Sequence, residues 1–408
     1  MFPRLKLPKK TIYLDHAAST PVSPGVLRAM LPFFSEEFGN PSALYKLGVE
    51  ANLAMIRARE NVAKVLGVRK KEIIFTAGAT ESVNLAILGI ARSSDKPGRI
   101  LTTPLEHNSV LEVCRALEKL GWVIEYMPVD RHGLVNPGQL ENLIKKDTKL
   151  ISIGFVNGEI GTVQPIRALT KTLTKLNQLR RQEGASEVIL HTDASQAPEF
   201  FDIFIPRLGV DLLTLNGSKI YGPKQSGILY VREGVKLEPV IYGGGQENGL
   251  RSGTESVANA VGFASALETS QKTFSRESQR LSSLRDYFLK NIQLKIPKVE
   301  LNGPALGKNR SPSNINIVFE GTEGEAVVIY LDSYNIAVST GSACDSIKQE
   351  ASQTLQSIGK DFESARSSVR FSFGRGTRKK DLDYILKILP VIIEQLRKVQ
   401  ELENKNAH

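Results

Sequence analysis

Short apolar runs alternate with longer amphipathic stretches over the first 250 residues of the chain. The apolar runs have the length and content of buried strands and lie at residues 72–76, 99–102, 122–128, 150–155, 188–192, 212–215 and 227–231. Helical spacing of apolar positions separates several of them, at residues 81–92, 109–120 and 169–182. Such strand–helix alternation predicts a largely parallel sheet with helices on both faces.

The pattern changes after about residue 260. Further elements are predicted as a long helix at 265–290, apolar segments at 313–320 and 324–334, a strand at 369–374 and a helix at 380–402. This arrangement is typical of a smaller α+β domain. We therefore predict an α/β protein with a large domain at 16–262 and a small domain formed by 1–15 and 263–408. Residues 340–356 are polar and rich in small side chains, which predicts a long loop.

Composition narrows the classes of protein. The 408 residues are 41% hydrophobic, and no apolar run approaches the length of a membrane helix or a signal peptide. The net charge is +10, but the basic residues are spread along the chain, so we expect a solvated basic surface and no direct binding of nucleic acid. Cys114 and Cys344 are the only cysteines. Two cysteines do not form a disulfide framework, so a reducing cytoplasm is expected.

Three polar turns that follow predicted strands are candidates for chemistry. In residues 76–82, Gly78 allows a tight turn before a helix whose first amides can bind a phosphate, although an ordinary helix cap would look the same. Asp193 ends a strand, where it could pair with a cationic ring nitrogen or simply cap the turn. Lys219 lies in the turn Asn216-Gly-Ser218-Lys219, and a partly buried lysine there could form a Schiff base. Taken alone, Lys219 resembles a surface lysine.

The two cysteines have different surroundings. Cys114 lies on the apolar-patterned helix VLEVCRAL, as a buried structural cysteine would. Cys344 lies in the Gly- and Ser-rich stretch STGSACDS, where an accessible thiol with a pKa of about 8.5 is partly ionised near neutrality. Cys344 is therefore the better candidate for a nucleophile. His107, in a strand-to-helix turn, is a candidate only in combination with the other groups.

The order of the motifs is more specific than any one of them. They run along nearly the whole chain as YLDHAASTPVSP, FGNPSALYKLG, IIFTAGATESVNLA, EHNSVLEVCRAL, PVDRHGLV, FVNGEIGTVQPI, HTDASQ, SKIYGPK, GGGQENGLRSGT, STGSACDS and VRFSFGR. This series resembles the pyridoxal 5′-phosphate (PLP) cysteine desulfurases of iron–sulfur cluster assembly, in the class V aminotransferase group of fold-type I enzymes. The resemblance implies that fold, with its large and small domains.

The resemblance also implies roles around the cofactor ring. Lys219 would form the internal aldimine with PLP, and Asp193 would pair with the pyridinium nitrogen. Gln196 would bond to the phenolic oxygen of the ring, while His107 would stack on the ring and assist proton transfers.

Phosphate binding is implied at two places. Gly78, Ala79 and Thr80 would hold the phosphate at a helix N-terminus. Thr254, in the motif Arg-Ser-Gly-Thr, would reach the phosphate of the neighbouring subunit, which implies a homodimer.

The resemblance assigns the substrate and sulfur chemistry to three residues. Asn157 and Arg370 would hold the carboxylate of L-cysteine, and Cys344 would accept its sulfur as a persulfide, leaving L-alanine. An iron–sulfur scaffold or a sulfur-relay protein would take the sulfur from there, so no resident metal is predicted, although Cys344 could meet a transferred cluster. Leu355 lies 11 positions beyond Cys344, which resembles the long-loop class of these enzymes.

The turn before Lys219 departs from the family, which usually has Ser-x-His-Lys there. Asn216 and Ser218 keep neutral groups that can bind phosphate, but the imidazole is missing. We therefore expect weaker retention of PLP than in relatives. The alternatives to a cysteine desulfurase are a selenocysteine lyase, another class V enzyme, or a non-catalytic binding protein with the same fold.

Overall fold

The computed structural model describes residues 7–341 and 352–406, so Cys344 lies outside the described residues. The strands are β1 Ile12–Tyr13, β2 Ile73–Thr76, β3 Arg99–Thr102, β4 Val123–Tyr126, β5 Thr148–Ser152, β6 Ile189–Asp193, β7 Leu212–Asn216, β8 Gly227–Val231, β9 Val299–Leu301, β10 Asn314–Phe319, β11 Ile336–Ala337 and β12 Ser368–Ser372. The helices are α1 Pro24–Met30, α2 Pro32–Ser35, α3 Lys46–Leu66, α4 Ala79–Arg92, α5 Asn108–Glu118, α6 Leu140–Leu143, α7 Ile166–Gln182, α8 Ile205–Leu208, α9 Val257–Lys295, α10 Gly324–Asp332, α11 Gln353–Ser357, α12 Phe362–Arg366 and α13 Lys379–Asn406.

A seven-stranded sheet in the order β2-β8-β7-β6-β5-β3-β4 is the centre of the larger part. The pairs from β7 through β6, β5 and β3 to β4 are parallel, which confirms the predicted sheet. Strand β8 runs antiparallel to both β7 and β2. The connection from β7 to β8 is too short for a parallel crossover, which needs a dozen or more residues. As a result β2, β3, β5, β6 and β7 all end at the same edge of the sheet.

Each face of this sheet has its own apolar core. Ile73 and Phe75 of β2 enter the core that also contains residues of α3, α7 and α9. Ile74, between them, enters the core on the other face, with α4 and α5. Side chains alternate between the faces of a strand, so a continuous apolar run buries both faces. The helices therefore cover both sides, as the alternation predicts.

The second part contains the antiparallel sheet β12-β10-β9 and the parallel pair β1-β11. Its core combines these strands with α13 and the end of α9. Helix α9 is 39 residues long and serves both parts, because side chains up to Leu267 enter the first core and those from Leu281 enter this one. The division at 262/263 stays a prediction. No helix in the described ranges is long and apolar enough to span a membrane.

The predicted loop at 340–356 is wrong over its last four residues, since α11 begins at Gln353. The Ser352 hydroxyl accepts a hydrogen bond from the amide of Leu355 at 3.2 Å and so caps the helix. Leu355 is fully buried against Leu105 and Ile160. Burial of this one apolar side chain orders a segment whose composition is otherwise that of a loop.

Candidate active site

Five of the polar segments predicted to carry chemistry meet at the common edge of the large sheet. Thr76, Asp193 and Asn216 are the last residues of β2, β6 and β7. His107 follows β3, and Asn157 follows β5. In open α/β sheets, ligands bind in the crevice outside the carboxyl ends of the strands. The topology therefore brings these segments to one place.

A segment from the N-terminal region, residues 15–20, crosses this edge and contacts Lys219. The Lys219 ammonium donates to the backbone oxygens of Ala17 at 2.8 Å and Ala18 at 2.6 Å. The side-chain amide of Gln196 donates to the same Ala17 oxygen at 2.9 Å. Lys219 and Gln196 are thereby brought to one atom. We call residues 15–20 the strap.

The turn before α4, at residues 76–80, forms a polar concave surface that we call the cup. Gly78 has φ +138°, a conformation that L side chains rarely adopt, and no side chain caps α4. Within the described part of the chain, the amides of Ala79 and Thr80 have no hydrogen-bond acceptor. Opposite the cup, the Asn216 side-chain oxygen accepts from the Ser218 amide at 3.2 Å and its hydroxyl at 3.1 Å. Open amides at a helix N-terminus bind phosphate groups.

Asp193 lies beside an uncharged hydrogen-bond network that joins three neighbouring strands. One of its carboxylate oxygens accepts from the Ser195 amide at 2.9 Å. His191, two residues earlier on the same face of β6, bonds to the Ser152 hydroxyl at 2.9 Å and the Thr214 hydroxyl at 3.0 Å. Burial lowers the pKa of His191 to about 4, although the charge of Asp193 opposes this effect. The histidine is therefore neutral, and it ties the strands on both sides of Asp193 together.

The turn between β3 and α5 presents His107. Its Nδ1 accepts from the Ser109 amide at 3.0 Å, which caps α5 and leaves the ring exposed. The preceding Glu106 carboxyl accepts from the Gly154 amide at 2.9 Å and from the Thr103 hydroxyl at 2.8 Å. Burial raises the pKa of Glu106 to about 7 despite these bonds. Glu106 thus anchors the turn of His107 to the end of β5.

Glu106→Gln is expected to change how stability depends on pH. Between pH 4.5 and pH 7 the folded protein keeps the proton of Glu106 while the unfolded chain has lost it, because the pKa is raised from 4.5 to about 7. The free energy of unfolding of the wild type therefore falls by up to about 3 kcal/mol as the pH rises through this window, and that of the glutamine variant does not. Thermal unfolding at about pH 5 and about pH 8 measures the difference.

Glu112→Gln, at an exposed position on helix α5, which follows the turn of Glu106, is the matched control and should follow the wild type at both pH values. If Glu106→Gln also keeps a constant offset from the wild type, the raised pKa is contradicted.

Arg370 of β12 reaches the same edge from the second part. Its guanidinium donates to Asp15 of the strap at 2.8 Å and to the Gly158 oxygen at 3.3 Å. The side chain is buried, and its Nε has no partner among the described residues. A side chain at Gly158 would press on the Gln196 amide, since a Cβ there would lie 3.0 Å from it. Arg370 is therefore held close to Gln196 with one donor unused.

Asn157 mainly shapes its own loop. Its side-chain oxygen accepts from the amides of Glu159 and Ile160, both at 2.9 Å. Its side-chain nitrogen donates to the Leu105 oxygen at 3.0 Å. An amide nitrogen has two hydrogens, so one donor remains for a ligand. One N–H of the Asn157 side chain thus remains for the predicted contact with the substrate carboxylate, which stays a prediction.

The described contacts of this group do not include Thr254. Thr254 is exposed in the segment between β8 and α9, and it was predicted to act on a neighbouring subunit. Cys344 lies outside the described ranges. The other cysteine, Cys114, is buried, and burial raises the pKa of its thiol to about 12. A thiol of that pKa is not a nucleophile near neutrality.

The sequence did not predict two features of this site: the backbone oxygens that bind Lys219 and the buried carboxyl group of Glu106. The oxygens of Ala17 and Ala18 are backbone atoms, and no side chain reveals them. Glu106 stands directly before His107, but only its burial distinguishes it from a surface glutamate. A cavity of about 980 Å³ also opens beside the strap, lined by residues that include His16, Thr20 and Tyr221 but not Lys219.

Comparison with known proteins agrees with this geometry. The model of the family "Aminotransferase class-V" matches residues 12–385. The cysteine desulfurase IscS of Dictyoglomus turgidum is 45% identical over 392 residues, 96% of each chain. IscS of Methanosarcina thermophila is 42% identical over 397 residues, 97% of this chain and 95% of that protein.

Solved structures show the same likeness. A NifS-like protein superposes with a TM-score of 0.87 and 35% identity, covering 95% of this chain and all of its own. A structure described as SspA in complex with cysteine has a TM-score of 0.75 and 36% identity, covering 89% of this chain and 99% of its own. Because the family model matches most of the chain and the relatives are up to 45% identical over nearly its whole length, this chain belongs to the aminotransferase class-V family.

Proposed function

We propose that this chain is a PLP-dependent cysteine desulfurase that converts L-cysteine to L-alanine and passes the sulfur on from Cys344. The observation that supports this most is the convergence of Lys219 and Gln196 on the Ala17 oxygen. Arg370 lies beside them with an unused donor. The relatives named cysteine desulfurase, and the related structure that binds cysteine, agree with this assignment.

The residues at the strand ends fit PLP. The open amides of α4, with Thr80, Asn216 and Ser218, would hold a phosphate. Asp193 would keep the ring nitrogen protonated, and Gln196 and His107 would hold the ring. Lys219 would bond covalently to the cofactor. When bound, PLP supplies an electron sink for the bond-breaking steps at the substrate.

Side chains of the protein bind the substrate and transfer its α-proton. Lys219 moves the proton at the α-carbon of cysteine, and the strap oxygens hold its amine at the strand ends. Arg370 binds the substrate carboxylate through its guanidinium, and the Asn157 amide adds one donor. Two fixed donors orient the α-carbon towards Lys219.

Cys344 completes the transfer. Its thiolate attacks the sulfur of the substrate, so an S–S bond forms and the C–S bond of cysteine breaks. The carbon side ends as alanine with a methyl group, and Cys344 ends as a persulfide. An iron–sulfur scaffold or a sulfur-relay protein then takes the terminal sulfur. Because the chain has only two cysteines, we place this chemistry in the cytoplasm.

The function is tested by measuring alanine and sulfide release from L-cysteine by the holoenzyme, with mass spectrometry of Cys344 for one added sulfur. Absence of alanine release contradicts the proposal. A strong preference for selenocysteine in the same assay indicates the lyase instead.

Ser218→His is expected to tighten PLP binding about tenfold, because a charged donor adds roughly 1.5 kcal/mol over a neutral one at the phosphate. Absorbance titration of the apo-protein with PLP measures the dissociation constant. Ser186→His, at an exposed position away from the strand ends, is the control and should leave it unchanged. Equal affinity of Ser218→His and the wild type would show that the neutral turn does not weaken the site.

We propose a homodimer, so that Thr254 reaches the neighbouring phosphate. Large apolar side chains are exposed near α2 and α3 and in the segment of Thr254, namely Phe34, Phe38, Leu44, Tyr45 and Tyr242, with Leu44 96% exposed. Exposed apolar side chains that lie together are typical of protein–protein contact surfaces. Sedimentation that shows only a species of one chain's mass contradicts the dimer.

The division of the chain at 262/263 is also proposed. Two separate cores support it, although the change from one to the other falls further along α9, between Leu267 and Leu281.

A further inference from the structure

The buried side chains of Glu199 and Tyr221 and the partly buried side chain of Arg375 form a connected group close in sequence to the strand-end site. Each lies within six residues of a residue assigned to the reaction, with Glu199 following Asp193, Tyr221 following Lys219 and Arg375 following Arg370. We call this group the junction triad. It joins the segments that carry Asp193, Lys219 and Arg370.

Arg375 is the centre of the triad. Its guanidinium donates to both carboxylate oxygens of Glu199, at 2.9 Å and 2.6 Å. The same guanidinium lies 4.3 Å from the centre of the Tyr221 ring, and the Arg375 amide donates to the Tyr221 hydroxyl at 2.7 Å. A two-pronged ion pair with a stacked ring fixes direction as well as distance.

Two features of the triad oppose folding: a buried carboxyl group and a residue in a left-handed backbone conformation. Glu199 is 4% exposed, and burial raises its pKa to about 7 although Arg375 opposes this. Tyr221 has φ +61°, a left-handed conformation that is uncommon for a bulky residue. Buried ion pairs and strained residues often contribute little stability, and such features cluster where geometry matters.

The turn that holds Arg375 is fixed from other sides. Gly374 packs so closely on His16 and Tyr221 that no side chain fits there. Arg280 of α9 donates to the oxygens of Gly374 at 3.0 Å and Thr377 at 2.8 Å. Arg375 cannot shift without moving this turn and the end of β12 that precedes it.

Hydrogen bonds connect Tyr221 to the turn that contains Lys219. Its amide donates to the Thr20 hydroxyl at 2.8 Å, and that hydroxyl donates to the Ser218 oxygen at 2.9 Å. The strap of Thr20 also contains the oxygens that bind Lys219. Movement of Tyr221 would therefore move the turn of Lys219.

We propose that the junction triad sets the separation between Lys219 and Arg370, so that Glu199, Tyr221 and Arg375 are positioning residues for the cysteine substrate. The proposal rests on the proposed function. Arg370 holds the carboxylate while Lys219 acts at the adjacent α-carbon, so their spacing must match two neighbouring atoms of one small molecule. The open amides of α4 and the carboxylate of Asp193 belong to the large sheet, and no hydrogen bond among the described residues joins a triad side chain to them.

The test compares Tyr221→Phe, Glu199→Gln and Arg375→Lys holoenzymes with the wild type. We expect kcat/KM for cysteine to fall about 100-fold in the Glu199 and Arg375 variants, since small displacements of reacting groups have effects of this size. The loss should appear in kcat as well as in KM, because the α-carbon of the bound substrate no longer lies where the lysine acts. Titration of the apo-proteins should give dissociation constants for PLP within about twofold of the wild type, because the α4 amides that would hold the phosphate are not hydrogen-bonded to the triad.

Asp211→Asn is the matched control. Asp211 also forms a partly buried ion pair, with Arg232 at 2.6 Å, but it lies before β7, at the opposite end of the strands from Lys219. Its loss is expected to lower the thermal midpoint without raising KM.

The outcomes separate the claims. Unchanged kcat/KM in the triad variants overturns the inference, and so does an equal loss of PLP affinity or an equal rise of KM in Asp211→Asn. If Glu199→Gln does not fold, Tyr221→Phe, which removes only one hydroxyl, decides the question. A wild type that does not act on cysteine contradicts the proposed function instead.

Discussion

Replacing Lys219 by alanine is expected to reduce alanine release from L-cysteine by at least about 1,000-fold, because both covalent attachment of the cofactor and a general base are lost. The variant should also lose the absorption band of the lysine-bound cofactor while the protein stays folded. Lys219 donates to two backbone oxygens of the strap, and both of these acceptors are uncharged.

Lys224→Ala is the matched control, an exposed lysine five residues further along the chain. It should keep both the band and the activity. Lys219→Arg retains a positive charge but cannot form the covalent bond. If Lys219→Arg were as active as the wild type, Lys219 would only bind substrate electrostatically and the assignment would be wrong.

Replacing Cys344 by serine is expected to abolish persulfide formation and sulfur transfer, because serine provides no sulfur to bond with that of the substrate. The effect on transfer should be complete within detection. Mass spectrometry after incubation with cysteine measures the added sulfur, and a reduced acceptor protein measures the transfer.

Cys114→Ser provides the control within the same chain. Burial raises the pKa of the Cys114 thiol to about 12, so this cysteine cannot replace Cys344, and its variant should retain transfer. The buried position tolerates a hydroxyl poorly, and some loss of stability is expected. Persulfide found on Cys114 in the Cys344→Ser protein would contradict the assignment.

The fold was largely predictable, for reasons visible in single elements. Strands β3 and β8 have the bounds that their apolar runs predict, because a run buried on both faces of a sheet has no polar residue inside it. Helix α4 begins two residues earlier than predicted, at Ala79. Its first turn is polar because it faces the cup, so apolar periodicity begins later than the helix does.

The site was predictable only in part. Asp193 and Lys219 follow strands, which places them at one edge once the sheet is parallel. The strap partners of Lys219 lie about 200 residues away along the chain and are backbone oxygens. The junction triad likewise joins positions 199, 221 and 375, and each of these is unremarkable as an isolated residue in the sequence.

By itself, the sequence determined the strand order along the chain, the class of fold and the residue types available at the strand ends, because apolar periodicity and turn chemistry are local properties. The tertiary structure alone decided which groups share a hydrogen bond, which carboxyls retain protons near neutrality, and that Arg370 reaches the large sheet with one donor unused. These properties depend on burial and on contacts between distant segments. Local sequence does not contain either of them.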